Sequence, residues 1–182
     1  MTSNILKRYW RIYGGFGALL KSPYFWVSAL ITILLYPSWS VSGWWDDVLS
    51  IMPNLLGFSL GGYAMWIAIG DDEFRKLISG EDGDGKPSPY MEVNAAFVHF
   101  IVLQMLAMIL ALVNKAYDIP LNNQNILVKF LGDAVFYVNT VSYFVSYFVF
   151  IYALLTAVAA TLSLFRVSSW YDNKQTNERK KT

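Results

Sequence analysis

Residues 50–76 read SIMPNLLGFSLGGYAMWIAIGDDEFRK, and this stretch decides how the rest of the chain is interpreted. No charged residue lies between Asp47 and Asp71, where the apolar run ends abruptly in an acidic cluster. At a rise of about 1.5 Å per residue, an uncharged helix of this length crosses the roughly 30 Å hydrocarbon core of a bilayer. The stretch therefore predicts a transmembrane helix over about residues 48–70.

Small or polar residues recur along this predicted helix at spacings of 4, 3, 4, 3 and 4: Ser50, Asn54, Gly57, Gly61, Ala64 and Ala68. That spacing puts all six on one helical face. Gly57 and Gly61 form a GxxxG pair, which lets a second backbone approach closely. We expect this small-residue face to mediate helix packing, either within the chain or between copies.

The composition fits a chain whose main solvent is lipid. Of the 182 residues, 55% are hydrophobic and only 15% are charged, whereas soluble domains average about 25% charged. The net charge of +1 gives no field that would attract nucleic acid, and the absence of cysteine excludes disulfides and thiolate metal sites. We expect a single all-α membrane domain over 1–182.

Three further apolar stretches complete a prediction of four spans, at about 22–38, 94–113 and 139–166. Residues 1–20 precede them and contain an amphipathic segment. Its basic face carries Lys7, Arg8 and Arg11, and its other face is apolar and aromatic. Such a helix lies in the headgroup plane of a membrane, or it covers the ends of the spans. Both interpretations stay open.

Twelve of the fourteen Lys and Arg residues fall on one side of these spans, which leaves only Lys115 and Lys129 on the other. The positive-inside rule then places both termini, the 71–93 loop and the 167–182 tail in the cytoplasm. Tryptophans at 39, 44 and 45 mark the opposite interface as an aromatic belt. The predicted location is a bacterial inner membrane, with a multi-pass topology.

Polar side chains at membrane depth are the first candidates for function. His99 is the only histidine and lies in the third predicted span together with Gln104, and Asn54 lies in the second. Intramembrane polar groups must find partners, because lipid offers none. Hydrogen bonding between helices is the simpler interpretation. The sharper alternative is proton sensing or ligand binding by His99, or pore lining by the two amides.

The fourth span carries a second regular line at spacings of 4, 3, 4, 3, 4 and 3: Ser142, Ser146, Val149, Ala153, Thr156, Ala160 and Ser163. The line serves helix packing in the simpler interpretation. In the alternative its hydroxyls line a water-filled path. Ser and Thr hydroxyls also bond to their own helix, which makes either arrangement tolerable in lipid.

The acidic cluster of Asp71, Asp72 and Glu73 follows the end of the second span, where the helix dipole disfavours acids. In one interpretation Arg75 and Lys76 compensate these acids. In the other the acids, together with Arg75, bind a cytosolic partner, or the acids bind a cation. The nearby segment from Asp82 fails the EF-hand pattern, since Pro87 stands where that loop needs glycine. No metal site, cofactor or catalytic residue is predicted, because the sequence has no HExxH, no phosphate loop and no second histidine.

The segments NLLGFSLGGYAMWIAIGDDEFRKL (54–77) and SPYMEVNAAFVHF (88–100) resemble small four-span bacterial membrane proteins of phage-defence systems, the class of the Kiwa membrane subunit. The resemblance rests on a glycine-rich span followed by an acidic turn. It implies a homo-oligomeric membrane component that works with a cytosolic protein partner. No functional residue is carried over from it.

Three functions fit these observations. The leading hypothesis is a small oligomeric channel, pore or membrane-perturbing effector in antiviral defence, which is not an enzyme. The alternative is a non-conducting anchor or sensor subunit that recruits a cytosolic partner. A small transporter that uses His99 or Gln104 is the third. It would need broken helices, and only Pro53 lies near the interior of a span.

Overall fold

A computed structural model gives the fold and describes residues 4–68, 75–76, 78–80, 87–118 and 134–180, with the side chain at 178 left aside. Within those ranges the chain is helical and contains no strand. The principal helices are α1 (Ile5–Tyr13), α2 (Gly15–Lys21), α3 (Pro23–Leu34), α4 (Tyr36–Trp39), α5 (Trp45–Ala68), α6 (Pro89–Tyr117) and α7 (Ala134–Arg179).

Three of these helices, α5, α6 and α7, are long and apolar enough to cross a membrane. The segment Ile5–Lys21 and the helix Pro23–Leu34 are bent by 46° against each other and give a fourth candidate if the pair counts as one span. The all-helical class and the presence of three to four helices of span length are therefore confirmed. The count of four spans stays a prediction.

Several helices extend beyond the ends of the spans predicted for them. α6 begins at Pro89 because Ser88 caps it, accepting the Met91 amide at 3.4 Å, and because proline fits the first helical turn. α7 continues to Arg179, so that the described part of the predicted polar tail is helical. The first span is interrupted, since α3 ends at Leu34 and the single turn of α4 follows.

Glycine separates the N-terminal helix from the next one. Gly14 has φ +98°, and a Cβ there would lie 2.8 Å from the Cβ of Ala18. Only glycine fits both constraints. The break lets α1 leave the line of α2 and lie against α6.

The long helices pack in the order α5, α6, α7 and α3, and α1 lies on α6. α6 and α7 are therefore the two inner helices, and the buried residues of α6 recur along its whole length. α5 and α3 are the two outer helices of the row. Each leaves large apolar side chains exposed, such as Phe58 at 83% and Leu34 at 69%.

Aromatic side chains close one end of the helix row, which we call the Trp end after Trp39, Trp44 and Trp45. The Trp44 ring packs edge-on against Tyr143 and Tyr147, with ring centroids 5.8 and 5.7 Å apart. We call the opposite end the His end after His99. Its core contains Ile78, Val93, Phe97, Phe100, Ala160 and Val167.

Candidate functional site

His99 is the centre of the candidate site at the His end. It projects from α6, is 5% exposed, and receives a contact from the N-terminal helix. The Tyr9 hydroxyl lies 2.7 Å from its Nδ1. The bond joins two segments that are far apart in sequence, and so it fixes where α1 lies on the helix row.

Two further tyrosines enclose the imidazole. The Tyr13 ring stacks on it with centroids 3.9 Å apart and an interplanar angle of 19°. The Tyr152 ring of α7 meets it edge-on at 6.0 Å, and the two phenol oxygens of Tyr13 and Tyr152 lie 3.4 Å apart. We call Tyr9, Tyr13, His99 and Tyr152 the tyrosine–histidine cluster. It joins α1, α6 and α7 at one point.

The cluster leaves one nitrogen of His99 unpaired. Nε2 is buried, and no polar atom of the described residues lies within hydrogen-bonding distance. Burial and the neighbouring Tyr13 raise the pKa of Tyr9 to about 12, so the phenol is neutral and can donate to Nδ1. A neutral imidazole that accepts at Nδ1 carries its proton at Nε2. The arrangement can therefore hold one proton in a buried position.

A second polar contact joins α5 to α6 deeper in the row. Gln104 is fully buried, and its amide nitrogen donates to the Ser59 hydroxyl at 2.9 Å. The hydroxyl in turn bonds to the Leu55 carbonyl one helical turn earlier. Gln104 thus serves packing between two helices of the same chain.

A third polar layer joins α6 to α7 near the Trp end. The Asn114 amide nitrogen donates to the Ser146 hydroxyl at 2.8 Å, and its oxygen accepts from the Ser142 hydroxyl at 2.8 Å. The sequence analysis did not select Asn114, because the predicted span ends at Val113, just before the charged Lys115. The rule that singled out Asn54 and Gln104 would have found it.

The remaining polar candidates bond to their own helices. Asn54 donates to the Ser50 carbonyl at 3.1 Å. Thr156 and Ser163 bond to the carbonyl oxygens of Ala153 and Ala159 at 2.9 Å. Together with the Asn114 layer, these contacts place the hydroxyl line of α7 on its packed side, where its members are buried or half-buried.

The small-residue face of α5 lies on the opposite side from α6. Each member is exposed, namely Ser50, Asn54, Gly57, Gly61, Ala64 and Ala68. At about 100° per residue, the buried Met52 and Ser59 lie roughly 180° from that line. A Cβ built on Gly57 or Gly61 would meet no atom within 4 Å. The face therefore does not pack within the described chain, and contact with another copy remains the predicted alternative.

Charged side chains lie at the ends of the helices. Asp46 and Lys115 form an exposed ion pair of 2.8 Å at the Trp end, and Asp118 accepts from the Ser42 and Tyr143 hydroxyls. At the other end of α5, Arg75 donates to the Ile67 carbonyl at 2.7 Å. Three predicted partner-binding acids, Asp71, Asp72 and Glu73, lie outside the described residues. Among those that are described, no three His, Asp or Glu side chains gather as a metal site would require.

No protein-family model matches this chain, and neither does any curated protein or solved structure in the comparisons. The resemblance drawn from residues 54–77 and 88–100 therefore stays a prediction. Function has to be argued from the geometry of the residues themselves.

Proposed function

We propose that the chain is a multi-pass anchor subunit of a bacterial inner membrane, which associates with further copies and recruits a cytosolic protein. The observation that carries the proposal is the use of its buried polar groups. The side chains of Gln104 and Asn114 form hydrogen bonds between helices of one chain. A conducting path through a single copy would need such groups to face water instead.

Membrane insertion is supported by the distribution of apolar side chains. Large apolar residues on the outer sides of the helices stay exposed in the isolated chain, as Phe58, Leu34 and Phe165 do. Soluble monomers rarely expose contiguous apolar surface on this scale. Hydrocarbon would cover these side chains, and the hydrogen bonds of the interior would not have to compete with water.

The α7 helix supplies the surface for a partner. Val167 is the last buried side chain of α7 among those that the structure describes, and the helix continues through twelve more residues to Arg179. That extension is about 18 Å long and carries charged residues at 172, 174 and 179. By the positive-inside rule it would project into the cytoplasm beside the 71–93 loop.

The absence of cysteine permits a direct test of the orientation. Ser38 and Ser168 are both exposed but lie at opposite ends of the helix row. We expect a membrane-impermeant maleimide to label Ser38→Cys in intact spheroplasts, and to label Ser168→Cys only after lysis. The reverse pattern would refute the proposed topology.

Partner recruitment is tested by photo-crosslinking from two positions in living cells. A crosslinking side chain at Asn173, on the α7 extension, should trap one defined soluble protein, and the same group at Phe136 should not. Reversing the charges at 71–73 should abolish the adduct while the protein stays in the membrane. An adduct that is absent, or that survives the reversal, would contradict this part of the proposal.

A pore between copies is the second candidate, and one observation favours it. Asn54 lies on the exposed small-residue face, and among the described residues its amide bonds only to its own helix. In a ring of copies joined by that face it would line a shared path. Ion flux through liposomes that contain the purified protein tests this: flux that Asn54→Leu abolishes supports the pore, and a tight bilayer under all conditions removes it.

A further inference from the structure

A cavity of about 510 Å³ lies between α1, α5 and α6 at the His end. The N-terminal helix forms one wall and the two long helices form the others. Its lining is mainly apolar and aromatic and includes Ile5, Ile12, Tyr63, Ile67, Val98 and Val102. The volume falls within the range of about 300–1,000 Å³ that is usual for ligand pockets.

Contacts on both sides hold the cavity open. The Tyr9 bond to His99 fixes α1 on α6. On the other side, Tyr63 stacks on Phe97 with ring centroids 5.6 Å apart, which fixes α5 on α6. The walls are therefore held apart by contacts that do not fill the space between them.

The cavity opens toward the outer surface of the helix row. Ile5, Ile67 and Val102 line it and are also exposed, at 75%, 43% and 46%. Side chains that line the cavity and are also exposed form the rim of its opening. Because the rim is apolar, the opening would face hydrocarbon once the helices lie in a membrane.

One cation lines this mainly apolar space. Arg8 lies in the cavity wall and is exposed, and Lys7 and Arg11 lie near it on α1, also exposed. A polar group is present as well, since Asn94 lines the cavity, with its amide nitrogen bonded to the Tyr90 carbonyl at 2.8 Å. The site thus combines an apolar slot with positive charge at one edge.

We propose that this cavity binds one anionic phospholipid of the adjacent leaflet, with an acyl chain between the helices and the phosphate at Arg8. Charge complementarity argues for this occupant, because basic residues on an interfacial helix attract anionic lipid. The apolar rim gives the chain a lateral entrance. The lipid would brace α1 against α5 on the other side of the cavity. The inference rests on the membrane placement proposed above, but on neither the oligomer nor the partner.

Native mass spectrometry of the delipidated protein in detergent tests the proposal. Titration with phosphatidylglycerol should show one tightly bound molecule, and phosphatidylcholine should bind at least several-fold more weakly. Arg8→Gln should weaken phosphatidylglycerol binding by about five-fold, the effect of one basic residue near a lipid surface. Lys21→Gln removes a positive charge from α2, outside the cavity, and this variant should bind phosphatidylglycerol as the wild type does.

Filling the cavity with a larger side chain gives an independent test. Val98→Trp should abolish binding, whereas Val158→Trp, an exposed position on α7, should not. Equal binding of the two lipids, or equal binding by the two tryptophan variants, would overturn the proposal. If Val98→Trp does not fold, the difference between phosphatidylglycerol and phosphatidylcholine binding by the wild type still tests the proposal. Failure of the maleimide test would refute the membrane topology instead, so the two failures are distinguishable.

Discussion

The Tyr9 hydroxyl and Nδ1 of His99 are hydrogen-bonded over 2.7 Å, and this bond attaches the N-terminal helix to α6. α1 itself has no buried residue. Its position therefore depends on a few contacts at half-buried side chains, of which this bond and the Tyr13 stack on His99 are the most direct. α1 lies against α6 and keeps its cationic face exposed, and its placement in the headgroup plane of a membrane stays a prediction.

Tyr9→Phe tests that attachment. The change keeps the ring but leaves Nδ1 of a buried histidine without its hydrogen-bond partner, which costs about 1–3 kcal/mol. We expect α1 to detach more often, so that trypsin cleaves after Lys7, Arg8 and Arg11 faster than in the wild type. Tyr36→Phe is the matched control, since Tyr36 is exposed at the other end of the row. Equal cleavage rates in the two variants would show that the bond does not hold the helix.

The Asn114 layer predicts a contrast between two serines of one helix. The Ser146 hydroxyl accepts from Asn114 on a neighbouring helix, whereas Ser163 bonds only to its own backbone. We expect Ser146→Ala to lower the free energy of unfolding by about 0.6 kcal/mol, and at most about 1.7 kcal/mol, the range of interhelical bonds in membranes. Ser163→Ala should have almost no effect. Unfolding in mixed micelles measures both, and a larger loss at Ser163 would contradict the assignment.

Several features could be predicted from the sequence because they depend on composition along the chain. The uncharged run that ends before Asp71 predicts a span-length helix, and the structure has α5 there. The acceptors of side-chain hydrogen bonds could not be predicted, because they depend on the angle and register between helices. Gln104 was identified as a polar group in need of a partner, but nothing in the pattern named Ser59.

The two lines of small residues show why the packing partner of a face also escapes prediction. The line on α7 lies on the packed side and meets α6, whereas the line on α5 faces away from it. Both have the same spacing. The difference arises because larger side chains such as Met52 fill the contact between α5 and α6, and lipid and protein are equally apolar neighbours for a helix. A periodic pattern therefore identifies a face without identifying what covers it.

Variants of the Gln104 contact distinguish a role in helix packing from a role in ion conduction. If the amide serves only to join α5 and α6, then Gln104→Leu and Ser59→Ala should couple in a double-mutant cycle by about 0.6 kcal/mol, the average for such pairs in a membrane. Ion flux in liposomes should not change with Gln104→Leu. Asn54→Leu, at an exposed position, is the stability control and should leave unfolding unaltered. Altered flux with unaltered stability in Gln104→Leu would favour a water-filled path.

The outward face of α5 gives the last prediction. Gly57→Leu should leave the single chain folded, because a Cβ there has open space around it within 4 Å. It should disrupt association between copies, since a GxxxG contact requires the backbones to approach closely. Gly62→Leu is the matched control. It lies on the same helix about 120° from Ser50, off the small-residue face, and its Cβ also meets no atom within 4 Å. Mass photometry in nanodiscs should show the wild type and Gly62→Leu as oligomers and Gly57→Leu as a smaller species. A wild type that is monomeric at all concentrations, or a Gly57→Leu variant that assembles like the control, would show that this face meets lipid alone.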